Sequence, residues 1–92
     1  MKRIDLLPVM DREAVSLLLP ELREAMHSGG RIAIHAGKVD QIGQAGLQML
    51  LSATRSATAA GVPIMIEAPS DALTNASDLA GLRSRLPFAP AR

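Results

Sequence analysis

The chain of 92 residues contains no cysteine, no tryptophan, no tyrosine and one phenylalanine, Phe88. Without cysteine there is no disulfide framework, no thiolate nucleophile and no sulfur-ligated zinc, and such a composition suits a reducing cytoplasm. Charge of one sign is also lacking: ten Lys and Arg stand against nine Asp and Glu, a formal net charge of +1. A nucleic-acid binder needs clustered cations to release counterions and aromatics to stack bases, so no nucleic-acid partner is expected. No apolar run approaches the ~20 residues of a membrane span, and direct membrane insertion is not expected either. Met1-Lys2-Arg3 is basic, but the stretch from Ile4 to Pro8 is short and is broken by Asp5 and Pro8, so it does not read as a signal peptide.

What is present is aliphatic: thirteen Leu, six Ile, four Val and many alanines, within a hydrophobic share of 48%. A chain this short withdraws only roughly 60–65% of its unfolded surface from water. One core is therefore expected, in one domain over residues 1–85, with 86–92 as a flexible tail carrying Pro87 and Pro90.

Periodicity supplies the elements. Lys2 to Leu7 reads as an edge strand closed by Pro8. Asp11 then predicts an N-cap with Glu13 in the first turn, and Val15, Leu18, Leu19, Leu22, Ala25 and Met26 form the stripe of a helix stopped by Gly29-Gly30. Pro20 falls on its polar side with Glu13, Ser16, Glu24 and His27, which predicts a kink, or failing that a break into two pieces. Arg31 to His35 reads as a central strand that Val39 to Ile42 continues past Gly37. Leu47, Leu50, Leu51, Thr54 and Ala57 give a second helix up to Gly61, and Val62 to Ile66 a further strand. Ser70 as N-cap, Asp71, then Leu73, Ala76, Leu79 and Ala80 predict a short last helix ending at Gly81. The order β-α-β-α-β-α implies an α/β fold with a small, mostly parallel sheet flanked by helices.

Chemistry is sparse. A catalytic nucleophile needs an adjacent base, and the only histidines are His27 on a polar helix face and His35 at a strand end. The two alone make no zinc site, and no metal or other cofactor is expected. Gly37, Gly43 and Gly46 surround a strand-to-helix junction but match no phosphate-binding motif, so tight turning and helix–strand packing explain them more simply. The sequence predicts no enzyme. The informative feature is a polar edge on the second helix, Gln44, Gln48, Ser52 and Arg55, with Gln41 just before it. Flanked by Ala45, Met49 and Ala53, it reads as an uncharged exposed strip suited to docking a protein.

The stretch Val39-Asp40-Gln41-Ile42-Gly43-Gln44-Ala45-Gly46-Leu47-Gln48-Met49-Leu50-Leu51 resembles the STAS domain, the fold of bacterial anti-sigma factor antagonists, and the likeness extends over residues 4–82. Gly46-Leu47, Gly61, the strand Ile64-Met65-Ile66, the helix start Ser70-Asp71-Ala72-Leu73 and the closing Gly81-Leu82 all fit that pattern. The resemblance implies a non-catalytic cytoplasmic signalling module. Its implied partner is an ATPase-fold serine kinase or anti-sigma factor, or a chemotaxis kinase system; alternatively the chain is an accessory subunit on the ATPase of an ABC lipid transporter. The implied contact residues are Lys38, Asp40, Gln41, Gly43, Gln44, Gln48 and Ser52. Two departures stand out. The family's acid aligns with Gly43 and its phosphorylatable Ser or Thr falls at Gln44-Ala45, while Ala36 to Leu51 holds no Ser or Thr at all, so the usual phospho-switch is chemically impossible there. Many relatives also open with a β-hairpin, whereas here one strand alone is predicted before the first helix.

Overall fold

Alternation along three short strands organises the main sheet. In the computed structural model, which describes residues 2–89, β1 (Lys2–Asp5), β3 (Ile32–His35) and β5 (Ile64–Glu67) pair in parallel in the order β1-β3-β5. The register aligns Ile4, Ile34 and Ile66 in one row. All three are buried, because α1 (Arg12–Ser28) and α2 (Gln44–Ala60) pack on that face and on each other. Leu18 and Leu22 of α1 and Leu50, Leu51 and Ala57 of α2 complete the core with them. Full burial of one such Leu or Ile stabilises the fold by about 1.5–3 kcal/mol. The remaining elements are β2 (Val9–Met10), β4 (Gln41–Ile42), α3 (Asp71–Leu79) and a 3-10 turn at Arg83–Arg85. This is the expected α/β architecture, and every strand pair is parallel.

The helix boundaries follow local chemistry. Asp11 accepts from the Ala14 amide, Ser70 accepts from the Leu73 amide, and Gly29 and Gly61 end α1 and α2 in the left-handed conformation. Helix α1 runs without interruption through Pro20, which is exposed, so the break into two pieces does not occur. With Pro20 on the solvent side, the Ser16 carbonyl that loses its amide partner is open to water.

Two expectations need correction. Gln41–Ile42 does not continue β3: a turn at Gly37-Lys38 redirects the chain, and β4 pairs in parallel with β2 as a separate two-stranded sheet, Val9 beside Gln41 and Met10 beside Ile42. The Asp40 and Gln41 amides both donate to the Pro8 carbonyl, at 2.8 and 3.0 Å, and fix that register. Hence two strands, not one, precede α1. The segment after residue 85 is likewise no free tail as far as Ala89. Leu86 is buried, and Phe88 bridges to Ile66 along the outer edge of β5, where the Ile66 amide donates to the Pro87 carbonyl and the Ala89 amide to the Ile66 carbonyl. The rest of the expected tail, Pro90-Ala91-Arg92, and the initial Met1 lie outside the described residues.

Candidate functional site

Helix α2 begins differently from the other two. Its N-cap, Gly43, is extended (φ −96°, ψ −175°) and has no side chain to accept an amide, and no acid occupies the first turn. The start is instead pinned by the backbone: the Gly43 amide donates to the Met10 carbonyl at 3.2 Å, tying α2 to the β2–β4 pair. Gly46 makes that approach possible. A Cβ at this position would lie 2.9 Å from the Met10 carbonyl oxygen and 2.8 Å from Ile42 Cγ1. Of the three glycines in the junction, Gly46 is the one whose missing side chain is required for packing; Gly43 has open space around it, and Gly37 would make only ordinary contact with Ala68.

Between the start of α2 and α3 lies an open groove of about 470 Å³. Gly43, Gln44 and Gln48 line it on the α2 side and Ala76, Leu79 and Ala80 on the α3 side, with Ile42, Leu47 and Leu82 between them. No lining residue is charged. Gln44 and Gln48 are exposed, while Leu47 and Leu82 are nearly buried, so the groove combines an apolar base with two neutral hydrogen-bonding side chains. Leu79 is 92% exposed. It does not belong to the buried stripe of α3, as its spacing had suggested: at 3.6 residues per turn it sits roughly 120° from Leu73, whereas Ser77 sits within roughly 40°. Ser77 accordingly takes the inner position, fully buried, with its hydroxyl unpaired.

The docking strip read from the sequence is divided by the structure. Met49 and Ala53 are buried against α1 and are not part of an exposed strip. Stepping four residues advances a helix by 400°, so by Ser52 the row has turned roughly 80° from Gln44. Ser52 therefore opens onto a second groove of about 230 Å³ between α1 and α2, beside Arg23 and Met26. Gly43, Gln44 and Gln48 share the α2–α3 groove, and Lys38, Asp40 and Gln41 are exposed on the loop and strand that lead into it. The α3 wall, Ala76, Leu79 and Ala80, was not among the predicted contacts. Counting angles around α3 would have found Leu79.

Among the described residues, no three His, Asp or Glu side chains converge as a metal site, and no helix is long and apolar enough to cross a membrane. No curated protein matches the chain. The family model described as "Mlab, STAS domain" matches residues 2–87, nearly the whole sequence, and on that match the chain belongs to the STAS domain family.

Proposed function

We propose that this STAS domain acts by being recognised: it carries out no chemistry and presents the α2–α3 groove to a protein partner. The observation that carries this reading is Leu79, 92% exposed at the edge of a charge-free groove beside Gln44 and Gln48. Single exposed leucines are ordinary. One that rims an uncharged groove has the composition of an interface centre, apolar and depleted of charge. The Lys38–Gln41 segment supplies a polar rim on the side from which the chain enters α2.

The partner in this reading is an ATPase-fold serine kinase or anti-sigma factor, or a component of a chemotaxis kinase system, met in the cytoplasm. Gln44 stands where switching relatives carry a hydroxyl, so the contact is fixed and not toggled by phosphate. That same constancy favours a second reading, an accessory subunit held permanently on the ATPase of an ABC lipid transporter. Affinity purification from soluble and membrane fractions separates the two: a soluble kinase or anti-sigma factor supports the first, and an ABC ATPase the second. In either case Leu79→Glu weakens the complex at least about tenfold, since it removes an apolar anchor worth about 1.5–3 kcal/mol when covered. Binding unchanged in Leu79→Glu and in Gln48→Arg would remove the groove from consideration.

A further inference from the structure

Helix α3 is seated at odds with its own sequence. Counted around the axis from Leu73, its other apolar side chains fall at about −60° (Ala76), −100° (Ala72) and −120° (Leu79), so the apolar face is centred at about −70°. Its polar side chains lie between about 40° (Ser77) and about 200° (Asn75). The buried face is elsewhere. Leu73 and Ser77 are the fully buried residues of the helix, which centres that face at about 20°. Helix α3 therefore stands rolled by roughly 90° from the seat that its pattern prefers.

Both costs of that mismatch are visible. The Ser77 hydroxyl is buried without a partner, which is destabilising for a polar group, and Leu79 is 92% exposed beside the α2–α3 groove. One rotation relieves both, because Ala76 and Leu79 line the groove and Ser77 does not. Turning α3 by about 60° towards the groove brings Ala76 near the centre of the inner face and Leu79 from about 140° to about 80° off it, while Ser77 moves to about 80° on the other side. Leu73 stays inside, at about 40°. Little opposes the movement. The helix packs on β4 and on the 3-10 turn, and its polar side is tied by the Arg83 Nη1–Asp78 Oδ2 pair at 3.0 Å, an exposed and therefore weak ion pair.

We propose that α3 is a lid with two seats: the open one described above, and a closed one reached by this roll, in which Leu79 enters the groove over Leu47 and Leu82 and Ser77 reaches the surface. Closed, the chain covers the apolar base of its own groove; open, it offers that base to a partner. The lid rests on the reading of the groove as the docking surface and adds its regulation. A partner that binds only the open seat draws the population towards it, and its apparent affinity is reduced by the fraction of chains that are closed.

The absence of cysteine makes the roll measurable without any partner. Ser77→Cys puts a single thiol at the buried position, and its alkylation by iodoacetamide reports how often residue 77 is exposed. The expected rate is flat below about 1 M urea and falls at least about tenfold when Leu79→Ser is added, because a serine gains little by entering the groove. In the open seat Leu79 is almost fully exposed, so a helix with one seat shows no such coupling. Labelling that rises with urea from the start, as global unfolding does, overturns the proposal, and so do equal rates with and without Leu79→Ser. Should Ser77→Cys alter the circular dichroism, methyl relaxation-dispersion NMR on the unsubstituted chain decides the same question. Exchange at the Leu73 and Leu82 methyls that Leu79→Ser abolishes supports the lid; no exchange, or exchange that persists, overturns it. A failed roll would leave the groove always open, whereas a groove that binds no protein would leave these two readouts unchanged.

Discussion

Helices α1 and α2 have the same length, 17 residues each, yet they are started by different means. The start of α1 is written locally: Asp11 caps the amides and Glu13 faces the positive end of the helix dipole. The start of α2 has neither, and depends on long-range contact with β2, through the Gly43–Met10 hydrogen bond and the close approach that Gly46 allows. What the difference teaches is that α2 can afford an uncapped, glutamine-bearing N-terminus because tertiary packing fixes its position. The first turn is thereby left available for contact with another protein.

Breaking the tertiary anchor should have the largest effect. Gly46→Ala drives a methyl into the Met10 carbonyl and Ile42, and neither can yield without moving the β2–β4 pair, so a loss of about 1–3 kcal/mol is expected in urea unfolding. Unfolding midpoints that match the parent would mean that the close approach is dispensable. Next comes the local anchor: Asp11→Ala removes the bond to the Ala14 amide and costs about 1 kcal/mol. If it cost nothing, α1 too would be held by packing alone. The smallest effect sharpens the contrast by giving α2 the device it lacks. Gly43→Asp has open space for its side chain and an extended backbone suited to an N-cap, so it should stabilise the chain by about 0.5 kcal/mol while placing a charge in the partner groove. Higher stability with weaker partner binding is the expected pair of results in thermal melts and binding titrations.

The same division explains what could be read without coordinates. Caps at Asp11 and Ser70, stops at Gly29 and Gly61, and the aliphatic stripes of α1 and α2 are local signals, and each element they mark is present. The β2–β4 sheet was not legible, because two residues on each strand carry no periodicity and the pairing rests on the Pro8 and Met10 carbonyls reaching more than thirty positions along the chain. The docking of Phe88 was not legible either: two prolines in the last seven residues read as a tail, and nothing local names Ile66 as its partner. At the site, Gln44 and Gln48 were found by spacing, whereas Leu79 was sorted inward because three-residue steps were followed without summing their angles. Met49 and Ala53 were sorted outward because nothing in the sequence says how deeply α1 overlaps α2.

The central claim is that the groove beside the uncapped start of α2 is the working surface. The most direct measurement is parallel affinity purification, with mass spectrometry, of the unsubstituted chain and of Leu79→Glu/Gln48→Arg, both first checked for equal thermal stability. The account predicts that one protein partner, a kinase, an anti-sigma factor or an ABC ATPase, is recovered with the unsubstituted chain and is depleted at least about tenfold with the variant. Recovery of the same partner in equal amount from both would contradict it.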